Sequence, residues 1–136
     1  FGPFEEPRYT AYLMKNWFAG TTPTCASPAY VRDNIHVSLL ARAYVRFARE
    51  LPPSGFVRRN PSGYVESQGA FTQRVAEAMR PRLGLACPVA LAQQTEFPEP
   101  RVRINTDVPD ARELSWDESA AWDELAEYYR RMYRGA

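Results

Sequence analysis

The residues best equipped for chemistry lie in Tyr30-Val31-Arg32-Asp33-Asn34-Ile35-His36-Val37. Here an arginine–aspartate pair and the chain's single histidine interrupt an apolar run just ahead of a helical pattern. Charged groups embedded in a strand-like segment need partners, because an unpaired buried charge is costly. Two readings account for them. In one, Arg32 pairs with Asp33, or Asp33 caps the next helix, and the strand-to-helix turn is closed from within. In the other, Arg32 points into a cleft and holds a phosphate, whose oxygens match the planar guanidinium fork.

Other chemistries find little footing. None of the seven glycines falls in a G-x-G-x-x-G or G-x-x-x-x-G-K pattern, so the chain cannot build the turn that seats a dinucleotide pyrophosphate on a helix N-terminus. Cys25, Cys87 and His36 do not have metal-ligand spacing, and no metal site is expected. The two thiols are expected to be reduced, with a Cys25–Cys87 disulfide as the alternative. Glu5-Glu6 sits in a Pro/Gly loop and reads as solvated. No catalytic residue is assigned.

The elements that must position these groups follow from patterning. A chain of 136 residues with 45% hydrophobic content is one domain's worth, here residues 1–136. A net charge of +1, with Lys15 the only lysine, provides no field for nucleic acid or an acidic membrane. No apolar stretch is long enough to span a bilayer, and the expected setting is cytoplasmic. The chain opens mid-loop at Phe1-Gly2-Pro3 without Met, which reads as a fragment of a longer chain or a processed product.

Four helices are expected. The first is Arg8 to Ala19, with Tyr9, Tyr12, Leu13 and Trp17 inward and Gly20 as the stop. Ser38 to Glu50 carries Leu40, Ala43, Tyr44 and Phe47 on one face and ends before Pro52-Pro53. Ser67 to Arg82 turns Phe71, Val75, Ala78 and Met79 inward. The last runs from about Trp116 to Arg134, with Ser115 and Glu118 as a capping box and Trp122, Leu125, Tyr129 and Met132 buried. Short strands are expected at Ala29 to His36, Phe56 to Arg59, Pro88 to Ala92 and Arg101 to Asn105. The result is a small mixed α/β domain with too few strands for a doubly wound sheet.

Four segments in order resemble a known family. Phe1-Gly2-Pro3-Phe4-Glu5-Glu6-Pro7-Arg8 precedes a helix ending Trp17-Phe18-Ala19-Gly20. Arg32-Asp33-Asn34-Ile35-His36-Val37, Ser62-Gly63-Tyr64 and Arg112-Glu113-Leu114-Ser115-Trp116 follow. Together they are similar to the part of extended short-chain dehydrogenase/reductases that follows the catalytic tyrosine. These are the NAD(P)-dependent nucleotide-sugar epimerases, dehydratases and reductases. The likeness covers nearly the whole chain, with departures at Cys25 to Tyr30, where the family often has a glycine turn, and at Ser38-Leu39, where it often has an acidic residue.

The resemblance implies the C-terminal, substrate-binding portion of that fold, lacking most of its Rossmann sheet. It implies that NAD or NADP binds outside this chain, on an N-terminal dinucleotide-binding domain of the same protein that also carries the Tyr-x-x-x-Lys pair. Tyr12-Leu13-Met14-Lys15 has a different spacing and place. It implies a nucleotide-diphosphate sugar as ligand, with Arg32 on the diphosphate and a second arginine, Arg101 or Arg103, beside it. Asp33 and His36 would then orient Arg32 and close the turn. A homodimer is left open. The alternative is a stand-alone, non-catalytic binding or interaction module of the same fold.

Overall fold

The computed structural model describes residues 1–134 and places nine elements in the order helix, two strands, helix, strand, helix, two strands, helix. They are α1 (Tyr9–Phe18), β1 (Thr24–Cys25), β2 (Val31–Asn34), α2 (Val37–Arg49), β3 (Tyr64–Ser67), α3 (Gln68–Leu83), β4 (Ala90–Leu91), β5 (Val102–Arg103) and α4 (Glu118–Arg134). The small mixed α/β domain with four helices and few, short strands is as the patterning predicts.

Three helices make the core. Leu13, Met14 and Trp17 of α1 meet Phe71, Val75, Met79 and Leu83 of α3 and Trp122, Leu125 and Tyr129 of α4, all buried. Burying a large apolar side chain contributes about 1.5–3 kcal/mol relative to leaving it in water, so this cluster dominates stability. Helix α2 stands apart from it. Leu39 is its buried residue, while Tyr44, expected inward, is 54% exposed. Met132 on α4 is likewise exposed, and Tyr12 on α1 is 42% exposed.

The helix ends show the local chemistry. Gly84 takes a left-handed φ of 65° just past α3, and Gly20 a φ of 72° past α1, conformations that cost a Cβ-bearing residue more. Ser67 caps α3 by accepting the Ala70 N–H on its Oγ at 3.1 Å. For α4 the cap differs from the expectation. Asp117, two residues after Ser115, accepts the Ala120 N–H at 3.0 Å, and Ser115 itself adopts a φ of 51° in the turn leading in. Glu118 does not reach back to a cap. Its carboxylate takes the hydroxyl of Tyr64 and the Trp122 Nε1–H, tying α4 to β3.

The strands form two small sheets. In one, β2 is central, antiparallel to β3 with Arg32 opposite Glu66, and parallel to β5 with Arg32 opposite Arg103. In the other, β1 pairs with β4 in parallel. The strand expected over Phe56 to Arg59 is absent; this stretch between Pro52-Pro53 and Pro61 is irregular, and Phe56 is 82% exposed. No strand is expected over Tyr64–Ser67, yet β3 forms there and pairs with β2 on that side. Gly63 enters it so close to β2 that an added Cβ would lie 2.5 Å from the Asn34 carbonyl oxygen. Cys25 and Cys87 are both buried and both free thiols.

Replacing Asp117 by Ala is expected to lower unfolding free energy by about 1 kcal/mol, the usual worth of such a cap. Ser115→Gly should cost nothing, since glycine suits a positive φ. Chemical denaturation of the two variants checks the assignment, and a larger loss for Ser115→Gly would return the cap to Ser115.

Candidate oxyanion site

Alternation along two neighbouring strands builds the site. Successive side chains of a strand point to opposite faces. Tyr30 and Arg32 are two apart, as are Phe97, Glu99, Arg101 and Arg103 on the segment that runs into β5. The parallel register sets Arg32 against Arg103, and the irregular segment 97–101 brings Phe97, Glu99 and Arg101 to Tyr30 and these two arginines.

The contacts among them are specific. Arg32 lies over the Tyr30 ring, 4.3 Å from its centre. Tyr30 meets Phe97 edge to face at 5.6 Å, and Arg101 lies over Phe97 at 3.8 Å. Guanidinium, ring, ring and guanidinium thus form a ladder, each cation–ring contact worth about 0.5–1 kcal/mol where exposed. Arg32 Nη1 also donates to the carbonyl oxygens of Val31 at 2.9 Å and of Pro100 and Arg101 at 3.3 Å. Its Nη2 and the Arg103 Nη1 both reach one oxygen, Glu99 Oε2, at 3.3 Å each.

The sequence-derived candidates divide in the structure. Arg32, Arg101 and Arg103 come together around one loop. Asp33 and His36 do not touch Arg32. Asp33 points the other way and accepts the Gly63 N–H at 2.7 Å on Oδ1 and the Asn105 N–H at 2.9 Å on Oδ2. It neither pairs with Arg32 nor caps α2. His36 is the cap: its Nδ1 accepts the Ser38 N–H at 3.2 Å and lies 2.8 Å from Ser38 Oγ, which also accepts the Trp116 Nε1–H. Arg32 is oriented by Tyr30, Glu99 and the three carbonyls. Tyr30, Phe97 and Glu99 escaped the sequence reading, although the two-residue spacing from Phe97 to Arg103 is a visible signal.

A cavity of about 350 Å³ adjoins the ladder at Tyr30 and Glu99; Ser27, Gln94, Thr95 and Glu96 also line it, and the three arginines do not. Gln94 is fixed at its mouth, accepting the Ala29 N–H at 3.0 Å and donating to the Glu96 carbonyl at 3.2 Å. A roomier groove lies elsewhere, along α2 beside Arg42, Arg46, Arg49 and Glu113. There Arg46 is held by Glu50 and Glu113 and Arg42 by the Leu114 carbonyl. That groove reads as a helix braced against the loop beside it.

Two guanidinium groups share one carboxylate oxygen and a third is stacked on the neighbouring Phe97 ring, which places arginine donors on a face braced by backbone and ring contacts. Such a face can hold an oxyanion: Arg donors in a planar fork match phosphate oxygens, and the ring ladder limits the side-chain entropy lost on binding. Among the described residues no group of acidic, histidine or cysteine side chains is placed to hold a metal ion, and no helix is long and apolar enough to cross a membrane. Comparison with protein-family models and with curated proteins finds no match for this chain.

Two predictions follow the geometry. Asp33→Ala strips the acceptor from the half-buried Gly63 N–H and the exposed Asn105 N–H and should cost about 1–3 kcal/mol in denaturant unfolding, most of it from the Gly63 bond; Arg32→Ala should cost distinctly less. The second concerns pH. Burial, reinforced by the nearby Phe1 ammonium, lowers the folded-state pKa of His36 to about 4. Unfolded, it titrates near 6.5. Between those values the unfolded chain binds a proton that the folded chain refuses, so stability falls as pH drops from about 6.5 to about 4, by up to about 1.4 kcal/mol per pH unit. His36→Asn, which can still cap α2, should flatten that part of the stability–pH curve; an unchanged slope would show that His36 does not contribute.

Proposed function

We propose that this chain is the substrate-binding portion of an NAD(P)-dependent enzyme acting on nucleotide sugars, an epimerase, dehydratase or reductase. The observation that carries the reading is the shared oxygen. Arg32 and Arg103 converge on one carboxylate oxygen, with Arg101 stacked on the same loop. This supports a place for the charged oxygens of a diphosphate, the group that the sequence resemblance assigns to Arg32. The adjoining cavity, whose amide and hydroxyl side chains stand beside the carboxylates of Glu96 and Glu99, supports room for the uncharged, hydroxyl-bearing part of the ligand.

The chain's own contribution would be affinity and orientation. Holding the diphosphate fixes the distance and angle at which the sugar meets the reacting groups, which lowers the entropic part of the barrier. NAD or NADP would supply hydride transfer, bound by an N-terminal domain of the same protein. The isolated glycines of this chain do not fit a dinucleotide pyrophosphate. In this reading the protein works in the cytoplasm with a nucleotide-diphosphate sugar as its partner.

Calorimetric titration with nucleoside diphosphates and with inorganic pyrophosphate tests it. Arg32→Ala is expected to weaken binding by about 1.5–3 kcal/mol, roughly 10- to 150-fold, the range for a charge-assisted hydrogen bond. Arg42→Ala, in the α2 groove, should leave affinity unchanged. Undiminished affinity in Arg32→Ala together with reduced stability would make Arg32 a structural residue.

A further inference from the structure

We propose that Glu99 is an internal counter-ion of the arginine site, a carboxylate that occupies the position of a ligand phosphate oxygen and is displaced when the ligand binds. The inference rests on the oxyanion reading above and concerns how that site is kept when empty.

Four observations carry it. Glu99 Oε2 is the oxygen that Arg32 and Arg103 share, and both contacts are 3.3 Å, longer than the 2.7–2.9 Å of a tight charge-assisted bond. The Glu99 side chain is 52% exposed, so it can swing into water without crossing packed atoms. Its backbone stays put: the Glu99 N–H donates to the Tyr30 hydroxyl at 3.2 Å, and prolines at 98 and 100 restrict the chain on both sides. Both arginines have further support, Arg32 on the Tyr30 ring and three carbonyls, Arg103 on β5 against β2. Removing the carboxylate therefore leaves at least Arg32 aimed where it was.

The electrostatics then decide the direction of the effect. Without ligand, Glu99 relieves repulsion between guanidinium groups on adjacent strands. With ligand, the carboxylate must leave, and it remains nearby as a like charge to the phosphates. Both terms oppose binding, so Glu99 lowers affinity for any anion in the site and sets the minimum charge that a useful ligand brings. A residue that merely positioned the arginines would act the other way.

Titration of the wild-type chain and of Glu99→Gln with inorganic pyrophosphate separates these roles. Glutamine keeps the shape and removes the charge, and affinity should rise about two- to fivefold, the scale of an exposed ion pair. Glu99→Ala should rise by a similar factor. Wild-type binding with no gain, or a loss, in both variants overturns the counter-ion role and leaves the arginine site intact. Binding by neither wild type nor the variants overturns the oxyanion reading and this inference with it.

Discussion

The carboxylate of Asp33 holds together the three segments on which the site depends. It accepts the backbone N–H of Gly63, where the chain turns into β3, and that of Asn105, just past β5. β5 is two residues long and β3 four, so neither ladder alone offers many hydrogen bonds. The half-buried Gly63 N–H would cost about 1–3 kcal/mol without its acceptor, while the exposed Asn105 N–H could turn to water, so Asp33 stabilises the β3 side of β2 most and steadies the β5 side as well. Gly63 belongs to the same constraint. No other residue lets the backbone come as close to Asn34 and Ile35 as the Asp33 bond requires.

Register translates directly into chemistry. Because side chains alternate along a strand, Asp33 on one face fixes Arg32 on the other. The β2–β5 pairing that Asp33 steadies is also what sets Arg103 beside Arg32 and leaves Arg101 over Phe97. A one-residue slip would send Arg103 to the opposite face and Val102 into its place. The aromatic rungs Tyr30 and Phe97 then hold two of the guanidinium planes at low conformational cost. Helix α3 of the three-helix core starts against this ladder, its Gln68 N–H donating to the Tyr30 carbonyl at 2.7 Å.

Much of this was legible in the residues. Helical periodicity in α1, α3 and α4 gave Leu13, Trp17, Phe71, Val75, Met79, Trp122, Leu125 and Tyr129 from spacing alone, but passed over the buried Met14, Ala76, Leu83 and Ala126. Tyr44 and Met132 broke the pattern, because amphipathicity marks an apolar face without saying that anything covers it. β3 was missed because Ser62-Gly63-Tyr64 has turn residues, and only the long-range pairing with β2 turns Tyr64–Ser67 into a strand. The cap of α4 went to Asp117 over Ser115, since both types can cap and tertiary contacts of Glu118 with Tyr64 chose between them. For the site, the arginines were visible as residue types, whereas their convergence depended on a parallel pairing of β2 with β5 that no local signal encodes. Glu99, an ordinary acidic residue between prolines, gained its meaning only from that convergence.

Arginine side-chain Nε–Hε resonances, followed by NMR during a pyrophosphate titration, test the central claim most directly. The account predicts that signals from Arg32, Arg101 and Arg103 move together and saturate with one affinity, while Arg42 and Arg49 on α2 stay still. Movement confined to the α2 arginines, or no specific movement at all, would contradict it.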